Sequence, residues 1–137
     1  IDPAQVVRHE WCDNGANWVG IQLNSAEEVL ALEPDPVLAA KLDIGVVGRH
    51  EPGGPATVEV RAFFPGNGDA MIEDPVTGSL NAALAQWLIA LGELPPSYTA
   101  RQGTLLGRSG LVTVDQIDDR IWVGGTTTTV LSGHAHI

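Results

Sequence analysis

Apolar and β-favouring residues cluster or alternate from Gln5 to Cys12 and from Trp18 to Leu23, on either side of an Asn14-Gly15 pair that is a strong tight-turn signal. Two strands meeting at a turn are predicted there. Asn24-Ser25 precedes "AEEVLAL" and supplies a capping side chain, with Glu27 and Glu28 in the first turn and Val29, Leu30 and Leu32 as an apolar stripe, so a short surface helix follows. "EPDPVLAAKL" predicts another helical turn or two, with Val37, Leu38 and Leu42 facing inward. "DIGVVGRH" and "ATVEVRAFF" read as strands separated by "EPGGP". In the second, Val58, Val60 and Ala62 form a buried face, and Glu59 and Arg61 a wet one. A loop is predicted from Pro65 to Met71. After Gly92 and the Pro95-Pro96 stop, "SYTARQGTLL", "GLVTVDQI" and "DRIWVGGTTTTVLSGHAHI" read as further strands, so the tail is expected to be sheet. The fold class is α+β, a curved antiparallel or mixed sheet with one dominant helix.

That helix, predicted over Ser79 to Leu91, carries only Ser79, Asn81 and Gln86 as polar residues, and apolar side chains occupy every side of its wheel. A helix apolar all round is buried all round, so sheet must wrap most of its circumference. Its amino end is costly to bury, because the first N–H groups lack intrahelical acceptors. Thr77 or Ser79 can cap one of them, Gly78 lets the backbone turn tightly, and Asp74 with Pro75 fixes the approach. The remaining N–H groups, backed by the helix dipole, suit a carboxylate. Two readings follow: capping and nothing more, or a site that grips and protonates a substrate. A cap needs one oxygen, whereas Glu73, Asp74, Thr77, Ser79 and Asn81 crowd around one glycine.

At 137 residues the chain fits one domain, taken as residues 1–137. A net charge of −10 repels phosphate backbones and anionic lipid, so nucleic acid and membrane surfaces are poor partners; with no apolar run near the ~20 residues of a bilayer span and no charged n-region before an apolar stretch, a cytoplasmic protein is expected. Cys12 is the only cysteine, which rules out an internal disulfide and a thiolate-rich metal site; it reads as a small half-buried apolar residue. His134 and His136 could ligate a metal from a terminal strand with a carboxylate's help, but so close to the end they read as a frayed tail, and no metal is assigned. His9 and His50 read as ordinary isolated histidines. Trp11, Trp18, Trp87 and Trp122 read as core filling.

The stretch "EDPVTGSLNAALAQWL", followed by "ARQGTLLGRSGLVTV" and "IWVGG", resembles the phenazine-biosynthesis-like (PhzF-like) isomerase family, which shares the diaminopimelate epimerase fold. "GANWVGIQLNSAEEVLALEPD" and "VEVRAFFP" match it in the same order, and the resemblance is to the second half of those proteins only. It implies one lobe of a two-lobe molecule, each lobe a helix wrapped by a curved sheet, with the active site between facing helix amino ends. It implies Asp74 as an active-site acid or hydrogen-bonding group, Gly78 and Ser79 as an amide cradle for a substrate carboxylate, and Thr77 and Asn81 as supporting positions. The family's catalytic glutamate, which works without metal or organic cofactor, belongs to the first lobe, so this chain should carry half a site. Glu73, on the loop, is not promoted to that base. A homodimer or a missing N-terminal lobe would complete the cleft. The function expected from the resemblance is acid–base isomerisation or epimerisation of a small carboxylate-bearing metabolite. The alternative is a non-catalytic ligand-binding or assembly domain.

Overall fold

The computed structural model describes residues 1–39, 42–66 and 70–135. Among them, eight strands form one sheet: β1 (Val6–Asp13), β2 (Asn17–Leu23), β3 (Asp43–Arg49), β4 (Val58–Pro65), β5 (Met71–Asp74), β6 (Ser97–Gln102), β7 (Gly110–Ile117) and β8 (Arg120–Gly124). The helices are α1 (Ala26–Leu30), α2 (Pro36–Ala39) and α3 (Gly78–Ala90). The sheet order is β1-β2-β3-β4-β6-β7-β8, with β5 paired to β4 alone. Pairs β2–β3 and β4–β6 are parallel and the others antiparallel. This is the predicted α+β architecture, a curved mixed sheet around one apolar helix. No helix among the described residues is long and apolar enough to cross a membrane.

Local sequence explains the corners. Gly15 (φ 102°) turns the β1–β2 hairpin, and Asp118 and Asp119 (φ 48° and 62°) turn β7 into β8 with the paired left-handed residues that a two-residue hairpin requires. Ser25 Oγ accepts from the Glu28 N–H at 3.2 Å and starts α1.

The sheet accepts α3 because a row of small residues crosses its concave face. Gly20, Gly45 and Ala62 are successive cross-strand partners on β2, β3 and β4. A Cβ on Gly45 would lie 2.1 Å from a Leu80 methyl, so the absent side chain is what lets α3 settle. Leu80, Leu84 and Leu88 are at most 1% exposed, each contributing about 2 kcal/mol by burial.

Several expectations are corrected. Coverage of α3 is incomplete: Ser79, Gln86 and Ala90 are exposed, because β1 and β8 end the sheet without pairing to each other and leave a strip open. The supposed wet face of β4 is buried, Glu59 at 0% and Arg61 at 5%, since α1 covers that side and both charges have partners. Residues 71–74, read as continuing a loop and turn, pair with β4 as β5, and Glu73 therefore lies on a strand. Val37 and Leu42 are exposed, because the single turn of α2 is too short to present an apolar stripe; the Leu38 side chain lies outside the described residues. Trp11 and Trp122 are exposed as well, 62% and 59%, on the outer sides of the two edge strands; Trp18 is buried and Trp87 half-buried. The sheet stops at Gly124 and residues 125–135 have no regular structure. With Thr113 opposite Gly124, β7 has only three residues left to pair before it ends at Gly110, too few for the tail. His134 lies in that exposed tail and His136 outside the described residues, and no metal-sized group of three or more His, Cys, Asp or Glu occurs among the described residues.

Candidate functional site

The edge of β4 is shared by two strands, and the exchange between them creates the site. Ala62 faces Asp74, the last residue of β5, whereas Val60 faces Gln102, the last residue of β6. Cross-strand partners point to the same side, so Asp74 and Gln102 both turn toward α3, roughly 7 Å apart along the β4 edge. Pro75 follows Asp74 without an N–H to continue the ladder, and the chain leaves through Val76 and Thr77 into α3.

Thr77 occupies the capping position of α3 but its side chain caps nothing. Its hydroxyl donates to Asp74 Oδ2 at 2.5 Å. Below it, Gln102 is fully buried and satisfies four groups at once. Its Oε1 accepts from the Thr77 N–H at 3.1 Å and from Asn81 Nδ2 at 2.9 Å, and its Nε2 donates to the Asp74 carbonyl and to Thr77 Oγ1, each at 2.9 Å. Asn81, 1% exposed, also donates to the Thr77 carbonyl at 2.9 Å, and its Oδ1 has no protein partner. Gly103, at φ 81°, brings the β6–β7 connection against Pro75, where a Cβ would lie 2.6 Å from the Pro75 carbonyl oxygen.

The amino end of α3 is left open. No acceptor among the described residues approaches the N–H of Gly78 or Ser79, and a Cβ on Gly78 would meet nothing within 4 Å. Ser79 is fixed from the β1–β2 side, its Oγ accepting from Trp18 Nε1 at 3.1 Å and its carbonyl from Asn14 at 2.9 Å. Asp74 is half-buried beside this opening. Next to it lies a shallow depression of about 420 Å³ lined by Val76, Leu111, Val123, Gly124 at the end of β8 and Gly125 after it. A separate apolar cavity of about 190 Å³ lies between the segment after α1, Leu32 to Asp35, and the outer sheet face at Ile21, Ile44 and Phe63, on the face opposite to the one Asp74 turns toward. The cluster of hydrogen-bonding groups favours the α3 end over that smaller, mainly apolar hollow.

Two neighbouring carboxylates are used structurally. Glu73 holds Arg61 through two bonds, 2.9 Å to Nε and 2.8 Å to Nη2. Glu59 is buried against His50 Nε2 at 3.0 Å and the Thr104 hydroxyl, so His50 is not isolated as its sequence context implied. Cys12 is buried and its thiol is pushed above the usual range by that burial, partly offset by the Gly20 backbone.

The structure thus brings Asp74, Thr77, Gly78, Ser79 and Asn81 into one place. Sequence reasoning missed Gln102, and its only signal was a polar residue at a core-facing position of "SYTARQ", between a buried Ala100 and the turn at Gly103.

Residues 3–133 match the family model of phenazine biosynthesis-like proteins. The chain belongs to this family. Among its relatives are an uncharacterized isomerase, YddE, of Escherichia coli, 31% identical over 82% of this chain and 42% of that protein, and an uncharacterized isomerase of Pasteurella multocida, 27% identical over 100% and 47%. A phenazine biosynthesis protein of the PhzF family from Bacillus anthracis superposes with a TM-score of 0.59 at 16% identity, covering 80% of this chain and 41% of that one, which shows the shared fold. The chain spans less than half the length of the curated relatives it matches.

Proposed function

We propose that this chain acts as the second lobe of a PhzF-like isomerase, in which the amino end of α3 holds the carboxylate of a small metabolite while Asp74 exchanges a proton with it. The observation that carries the reading is the open helix end: Thr77 spends its hydroxyl on Asp74 instead of capping, and the Gly78 and Ser79 N–H groups keep an anion-binding direction beside a half-buried carboxylate. Asp74 supplies one of the two proton-transfer groups that an isomerisation needs. The other comes from a first lobe or from a second copy of the chain docking across the open strip of α3 and the shelf at Val76 and Leu111, both exposed. The acidic composition and single cysteine support a cytoplasmic setting.

The test is deuterium incorporation from D2O into a panel of small amino and hydroxy acids, with ¹⁵N shifts of Gly78 and Ser79 followed in parallel. Wild-type protein is expected to move both amides and incorporate deuterium, and Asp74→Asn to keep the amide shifts and lose the incorporation. Equal incorporation rates in the two proteins remove Asp74 from the chemistry. Amide shifts without incorporation, even with a first lobe supplied in trans, favour the ligand-binding alternative.

A further inference from the structure

The direction of every hydrogen bond around Gln102 is fixed by groups whose own roles are unambiguous. A side-chain amide can be reversed without changing its outline, so its oxygen and nitrogen have to be assigned from their partners. Here the Thr77 backbone N–H, which only donates, faces one terminal atom, and the Asp74 carbonyl, which only accepts, faces the other. The first atom is therefore oxygen and the second nitrogen. Asn81 agrees independently, because the nitrogen that donates to the Thr77 carbonyl also donates to that Gln102 oxygen.

The consequence reaches Asp74. Gln102 Nε2 has two protons; one goes to the Asp74 carbonyl and the other to Thr77 Oγ1 at 2.9 Å. Thr77 Oγ1 must accept there, and a hydroxyl has a single proton to give. That proton goes to Asp74 Oδ2 at 2.5 Å. Oδ2 is thereby held as an acceptor, and a proton taken up by Asp74 has to reside on Oδ1.

We propose that Gln102 is a positioning residue that holds the Thr77 hydroxyl on Asp74 Oδ2, so that Asp74 exchanges its proton through Oδ1. Gln102 touches no substrate; it acts through Thr77. The inference deepens the function proposed above and rests on Asp74 being the proton-transfer group, but the polarity itself is readable without turnover. A fully buried amide has no water to compete for these bonds, so the arrangement persists in the unliganded protein.

The experiment is NMR of the ¹³C,¹⁵N-labelled chain in H2O and D2O, observing the Thr77 hydroxyl proton and the deuterium isotope shift it imposes on side-chain carboxyl carbons. Wild type is expected to show a slowly exchanging, downfield hydroxyl proton whose isotope shift falls on the Asp74 carboxyl carbon. Thr77→Ser keeps the signal and Thr77→Val abolishes it. Gln102→Met removes the donor to Thr77 Oγ1 without adding a charge, so the hydroxyl is no longer fixed and its slow exchange and the isotope shift on Asp74 are lost. A wild-type hydroxyl proton directed at Gln102, or a folded Gln102→Met protein whose hydroxyl exchange and Asp74 isotope shift are unchanged, overturns the proposal. If Gln102→Met does not fold, Gln102→Asn, whose shorter amide cannot reach Thr77 Oγ1 and Asp74 together, is read in its place with the same two outcomes. A chain that processes no substrate but shows the Asp74 isotope shift keeps the polarity and loses only the function built on it.

Discussion

Replacing Glu73 with Gln separates the two adjacent carboxylates, because the neighbouring Asp74 is the one turned toward α3. Glu73 accepts two bonds from Arg61, and the pair is nearly dry, with side-chain exposures of 12% and 6%. Arg61 also donates to the Val29 and Leu32 carbonyls at 3.2 and 2.7 Å and lies 4.8 Å over the Phe63 ring, tying the end of α1 to β4 and β5. Breaking a buried pair by removing one partner costs about 3–5 kcal/mol, because a buried charge loses its partner. The two carbonyls and the Phe63 face stay with Arg61, and the Gln amide oxygen can still accept one bond, so the lower end applies, about 3 kcal/mol. In a domain of this size that corresponds to roughly 9 °C in Tm. Urea unfolding of Glu73→Gln, Arg61→Met and the double variant gives the coupling, expected at about 2 kcal/mol. A loss under about 1 kcal/mol, or single effects that simply add, refutes the clamp. Unchanged stability combined with lost deuterium incorporation would return Glu73 to the chemistry.

Gly45→Ala drives a methyl to 2.1 Å from Leu80 and is expected to cost about 1–3 kcal/mol in thermal unfolding, partly relieved when Leu80 is also shortened to Val. Burial pushes the pKa of the Cys12 thiol and of the Tyr98 hydroxyl upward, so their neutral forms belong to the folded state; the stability this gives is complete below the unfolded thiol's pKa of about 8.5 and is lost as pH rises through the alkaline range. The matching observation is slow reaction of Cys12 with a disulfide reagent at pH 8 and rapid reaction in urea; fast modification of the folded protein contradicts the burial. Self-association through the α3 shelf predicts that sedimentation equilibrium gives twice the chain mass at high concentration, and that Leu111→Asp, at a 52% exposed position, returns it to one.

The sequence by itself determined the elements set by short-range patterns: the Asn14-Gly15 hairpin, the short capped helix α1 and the apolar rod of α3. It also carried the family resemblance, through the run from Glu73 to Leu88. Each of these depends on residues within a few positions of one another, where turn chemistry and helical periodicity act directly. What only the tertiary structure decided is which strand borders which. The alternation in β4 looked half-wet because α1, some thirty residues earlier, is what covers Glu59 and Arg61, and pairing of Glu73 with Arg61 required β5 to dock on β4. Likewise Gln102 looked like one polar residue in a strand. It became the hub of the site because β5 and β6 meet on one edge of β4, a long-range arrangement with no local signal in the chain. Buried polar groups must find partners wherever the fold brings them, so their roles are set by topology more than by neighbours in sequence.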